Sequence, residues 1–170
     1  MLEATMYANL LRLGGPGFDA ADRAFAGEIQ QTLSRQDIVT SYARFGLAPV
    51  AGETLSEAIY PLGAGNDTSV GSTDVGTVSW VVPAVQCRVA CYAIGTPGHS
   101  WQLVAQGKMP AAHKGMVLAA KAMASTAADL IHDPAMLGRA GEEHRRFRAE
   151  NPFISPVVDG PEPALNMAAA

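Results

Sequence analysis

Among the side chains able to do chemistry, His99 stands out by position. It sits in the turn Thr96-Pro97-Gly98-His99-Ser100, directly after the apolar run of residues 85–94. A short turn at the end of a rigid element is where scaffolds commonly present functional groups. An imidazole there can ligate a metal or carry a proton near neutral pH, or it can be a plain loop histidine. The other polar cluster is Ser72, Thr73 and Asp74, between Gly71 and Gly76. It reads as a turn and cap, or as a substrate-side loop holding a carboxylate behind His99. His113, in the first turn of a helix, suits capping or packing, whereas His132 and His144 lie near helix ends among charges and read as solvated. The sequence has no HExxH or CxxC pair, and residues 65–72, GNDTSVGS, do not form the GxSxG of a nucleophile elbow. A metal centre needs three or four converging donors, so this chain offers one good donor and no convincing second.

The elements that must position His99 follow from periodicity. Leu2, Met6, Leu10 and Leu13 share one helical face, and Gly14 and Gly15 stop it. Asp19 can cap a second helix over residues 20–34, with Ala24, Phe25, Ile29 and Leu33 inward. Residues 35–70 read mostly as loop, with weak hints of structure at 38–45 and 55–59. Residues 77–82, ending at Pro83, and 85–94, ending at Gly95, read as β-strands apolar on both faces and therefore covered on two sides. Pro110 opens a long helix to His132, with Met116, Ala120, Met123, Ala127 and Leu130 on one stripe. After Pro134 comes a charged helix over 135–149. Cys87 and Cys91, four apart in a strand, would be about 13 Å apart, too far for a disulfide. The expected fold class is thus α/β.

Composition narrows the function classes. At 170 residues the chain has the length of one domain; 48% of it is apolar and only 16% charged. That is too apolar for disorder and lean in charge, as if some apolar surface faced another segment or subunit. The net charge of −4, with no basic cluster beyond Arg145, Arg146 and Arg148, gives no support to a nucleic-acid partner. No apolar run approaches the roughly 18 residues of a membrane helix, and the N-terminus does not read as a signal peptide. A soluble, cytoplasmic protein with reduced cysteines is expected.

Taken together, STDVGTVSWVVPAVQC, CYAIGTPGHSWQLVAQGK and AAHKGMVLAAKAMA resemble the C-terminal part of the p-aminobenzoyl-glutamate hydrolases. Those and their amidohydrolase relatives fall in the metal-dependent peptidase family that includes carboxypeptidase G and aminoacylase. The opening LEATMYANLLRLGGPGF is similar to the segment by which such chains return from their lid domain. The resemblance runs from Leu2 to Pro152 and is strongest over residues 72–124. It implies that residues 1–150 form the C-terminal portion of a three-layer α/β/α di-metal peptidase catalytic domain, with residues 151–170 an extended tail.

The implied activity is hydrolysis of the amide bond of N-acyl amino acids such as p-aminobenzoyl-glutamate. Two divalent ions per complete site, zinc or manganese, would activate a water while a glutamate carries its proton. His99 matches the family's last metal ligand. Ser72 and Asp74 fall on a loop near the site. The remaining ligands and the general base lie in family segments that nothing here resembles, so no catalytic residue is expected in this chain. The partners implied are the small-molecule substrate, a missing N-terminal half or partner subunit, and a second copy in a dimer. By itself the chain is expected to be inactive. A reading from another class is a non-catalytic subunit or interaction module that kept the scaffold and lost the chemistry.

Overall fold

The computed structural model describes residues 1–64, 73–154 and 160. Seven helices occur among the described residues: α1 (Leu2–Leu13), α2 (Ala20–Gln30), α3 (Arg35–Ala43), α4 (Val75–Val81), α5 (Trp101–Gln106), α6 (Pro110–His132) and α7 (Pro134–Glu150). Four of these, α1, α2, α6 and α7, agree with the helices expected from periodicity and stop signals. In α1, α2 and α6 the local chemistry agrees with the pattern: Gly14 ends α1, Asp19 and Asp22 form a capping box on α2, and Pro110 opens α6. The helix α3 falls in a stretch that reads mostly as loop, although Ser34 and Asp37 build a second capping box at its start. The tail expectation, beyond residue 154, lies outside the described residues apart from Gly160.

The α/β expectation is overturned. The described residues contain no strand and no sheet, and so no sheet layer of a three-layer α/β/α domain. Residues 77–81 instead belong to α4, because tertiary contacts outweigh the β-propensity of their branched side chains. Trp80 packs against Phe147 of α7 and Phe153, with ring centroids 5.5 Å and 5.7 Å away. His144 of α7 donates from Nε2 to the Ser79 carbonyl at 2.8 Å, filling one of the orphan acceptors of a helix end. His144 is therefore a half-buried tie between α4 and α7, not the solvated histidine expected from its charged neighbours.

Residues 85–91 form no regular element, and there is no strand for them to pair with among the described residues. Val85, Cys87, Val89, Ala90 and Cys91 are half-buried and Ala93 is buried, while Gln86, Arg88 and Tyr92 are exposed, so the sides alternate only as far as Val89. The covered side meets α6 where the helix is thinnest. A Cβ added at Gly115 would stand 2.6 Å from Cys91 Sγ and collide with the Ala90 carbonyl.

The buried face of α6 is Ala111, Ala112, Gly115, Leu118, Ala122 and Thr126. It is rotated from the stripe expected from hydropathy, and Met116 and Met123 are exposed. Alanines occur all around the helix, so hydropathy alone could not choose the face; closeness of approach did. α1 packs along α6 through Asn9, whose Nδ2 donates to Thr126 Oγ1 (3.4 Å) and Asp129 Oδ2 (2.7 Å). A core of Phe18, Ala26, Ile29, Leu55, Ala93 and Ala111 joins α2, the segment around residue 55, the segment ending at Ala93 and α6.

Candidate functional site

The turn that carries His99 begins where the segment of residues 85–93 enters the core. Ala93 is buried, and its carbonyl accepts both the Thr96 N–H (3.0 Å) and the Thr96 hydroxyl (2.7 Å). Gly95 follows at φ 96°, in the left-handed region and pressed so closely on α3 that an added Cβ would lie 2.8 Å from Ile38 Cγ1. Ser100 closes the turn. Its hydroxyl donates to the Pro97 carbonyl (2.8 Å) and accepts the Leu103 N–H (3.2 Å), which caps α5.

Side chains from two other elements fasten the base of this turn. From α2, Gln30 Nε2 donates to the carbonyls of Glu53 (3.2 Å) and Ile94 (3.1 Å), while the Ile94 N–H donates to the Thr54 carbonyl (2.9 Å). From α5, Gln106 accepts the Ala93 N–H at Oε1 (2.7 Å) and donates from Nε2 to Thr96 Oγ1 (3.0 Å) and the Gln102 carbonyl (3.0 Å). Neither glutamine is legible in the sequence as a site residue, since one glutamine in a short helix carries no spacing signal.

His99 stands at the exposed crest of the turn. Among the described residues it is the one non-glycine with positive φ, at 56°. Such a conformation persists only where surrounding contacts impose it, and it is found preferentially at functional sites. Asp74 is exposed at the N-terminal end of α4, where its side chain caps nothing, and it neither hydrogen-bonds nor ion-pairs with His99. Ser72 lies outside the described residues. No three His, Cys, Asp or Glu side chains converge among the described residues. The described residues alone therefore do not fit a metal centre, having one imidazole where three or four donors are needed.

Beside the turn lies a groove of about 800 Å³ whose walls include Met6, Tyr42, Tyr60, Cys87 and Thr96. Burial pushes the thiols of Cys87 and Cys91 above the ordinary thiol value, which makes them poor nucleophiles. Both are free, as expected, although the strand on which that expectation rested is absent. His113 is exposed beside Lys114, and that lysine binds the α2 capping box through Asp19 Oδ2 (2.8 Å) and the buried Asp22. Its ammonium, followed by the Asp22 N–H, holds the Asp19 carboxyl below the ordinary carboxylate value. This cluster clamps α2 to α6 and is structural.

No helix among the described residues is long and apolar enough to cross a membrane. The chain is similar to one of the subunits of the p-aminobenzoyl-glutamate hydrolase of Escherichia coli strain K12. The two are 37% identical over 175 residues, covering 96% of this chain and 36% of that protein. The chain thus spans about a third of the length of the curated relative it matches, and the resemblance read from its motifs is borne out. No family model matches, and no solved structure does.

Proposed function

We propose that this chain is part of a metal-dependent amidohydrolase that cleaves N-acyl amino acids of the p-aminobenzoyl-glutamate type in the cytoplasm. The observation that carries the reading is its 37% identity, along 96% of its length, to a subunit of an enzyme named for that substrate. In this reading His99 is the chain's own contribution to a centre of two zinc or manganese ions. The exposed, conformationally constrained position of the imidazole supports that assignment. One imidazole cannot hold such ions, so the remaining donors and the general base come from another polypeptide segment or a partner subunit of a dimeric enzyme. Ser72 and Asp74 enter as a substrate-side loop.

The test is a chimera in which residues 1–154 of this chain replace the matching part of the Escherichia coli relative. Hydrolysis of p-aminobenzoyl-glutamate by the chimera, and its loss together with bound metal on His99→Ala, is the expected result. Equal metal content and turnover with and without the imidazole would overturn the assignment. A second reading, a non-catalytic interaction module, is favoured by the exposure of Trp101 (61%) and Val104 (77%) on α5 beside the turn. A chimera that binds metal but never hydrolyses the substrate would favour it.

A further inference from the structure

We propose that Gln106 is the positioning residue for His99, the side chain that imposes the left-handed turn on which the imidazole is displayed. The inference rests on the reading of His99 as a functional donor and adds the device that aims it. A histidine at φ 56° is held against its own preference, so something must over-determine the turn. The local candidates are weak. Gly98 and His99 are exposed, and the Ser100 hydroxyl bonds only within the turn and to the start of α5.

Gln106 differs in kind. Only 3% of its surface is exposed, and its amide reaches both the residue at which the turn leaves the core and the first side chain of the turn itself. Oε1 accepts the Ala93 N–H, and Nε2 donates one hydrogen bond to Thr96 Oγ1 and the other to the Gln102 carbonyl. The Thr96 hydroxyl in turn donates to the Ala93 carbonyl. Ala93, Thr96 and Gln106 thus form a closed ring of hydrogen bonds beneath the turn.

Few side chains can occupy this place. The site needs one acceptor and two donors on a single planar group, at the reach of two methylenes from the α5 backbone. Leucine removes all three bonds and leaves the Ala93 N–H buried without a partner. Glutamate keeps the acceptor but loses both donors. Asparagine is one methylene short. The contact is also far from local in sequence: Ser100 caps the start of α5 next to His99, and Gln106 ends the same six-residue helix, folding back on residues 93–96. α5 therefore works as a strut between the two ends of the turn.

The test is solution NMR of the isotope-labelled 170-residue chain, in which the three-bond HN–Hα coupling and the Cα and Cβ shifts of His99 report the sign of φ. The wild type is expected to show the left-handed signature. Gln106→Leu is expected to lose it, while Thr126→Val, at another buried polar site, lowers the melting temperature and leaves His99 unchanged. A folded Gln106→Leu chain that keeps the left-handed His99 overturns the proposal.

If Gln106→Leu does not fold, Gln106→Glu decides. It retains the Ala93 contact, so the chain is expected to fold, but it loses both donors, so the His99 signals are expected to move, and unmoved signals overturn the proposal. In the chimera the same substitutions are expected to lower kcat by roughly ten- to a hundredfold with KM nearly unchanged, as for displaced catalytic groups generally. A fall in kcat with His99 still left-handed also overturns it. Full activity of the His99→Ala chimera would instead defeat the functional reading of His99 and leave the conformational result standing.

Discussion

Gly115 of α6 lies directly against Cys91: a Cβ built on the glycine would stand 2.6 Å from the cysteine Sγ. The contact sets how closely the long helix approaches the segment that leads to His99. Gly115→Ala pits two effects against each other. Helix propensity favours alanine by about 1 kcal/mol, whereas overpacking against the Ala90 backbone costs about 1–3 kcal/mol. Backbone cannot step aside as a flexible side chain can, so the expected outcome is net destabilisation in urea unfolding. A higher midpoint for the variant would show that α6 can retreat.

Tyr42 makes stability fall in alkali. Its ring is 3% exposed, and its hydroxyl donates to Glu53 Oε2 at 2.6 Å. Burial first, and then the Glu53 bond, pushes its pKa from 10.0 up to about 12. The folded chain holds this proton more tightly than the unfolded one. The contribution is therefore fully present below pH 10 and is lost as pH rises from 10 to 12, on the order of 2–3 kcal/mol in all. Denaturant melts across that range should fall more steeply for the wild type than for Tyr42→Phe; parallel curves would exclude Tyr42 as the source.

Cys87 and Cys91 should titrate as two free thiols per chain in denaturant without reductant. In the native chain they should react more slowly than in the unfolded one near pH 8, because burial raises both thiol pKa values and lowers the thiolate fraction. A zero count would show that residues 87–91 can bend back far enough to form a disulfide.

The isolated chain with zinc or manganese should not hydrolyse p-aminobenzoyl-glutamate above a His99→Ala control, since one imidazole is too few donors. The same substitution should lower stability by no more than about 1 kcal/mol, because nothing buried is lost and the cost is alanine's poorer tolerance of positive φ. His99→Gly should melt no lower than the wild type, because glycine accepts positive φ without strain. Hydrolysis by the wild-type chain beyond that control would sink the first expectation, and a marked loss of stability in the glycine variant would show that the imidazole packs.

By itself the sequence determined the helices whose signals are local. The apolar spacing and Gly14 define α1, the Asp19–Asp22 box starts α2, Pro110 opens α6 and Pro134 separates it from α7. It also marked His99, because a histidine in a Pro-Gly turn after an apolar run is visible without coordinates. Tertiary structure decided what short apolar runs cannot encode. Residues 77–82 and 85–94 look alike in composition, yet residues 77–81 are helical where His144 and two aromatic rings receive them, while residues 85–91 form no regular element and lie against Gly115. A strand exists only with a partner, so no periodicity within one segment could establish it. For the same reason Gln30 and Gln106 were invisible: their bonds join residues 64 and 13 positions away in the chain, and only the folded arrangement brings those amides beneath the turn of His99.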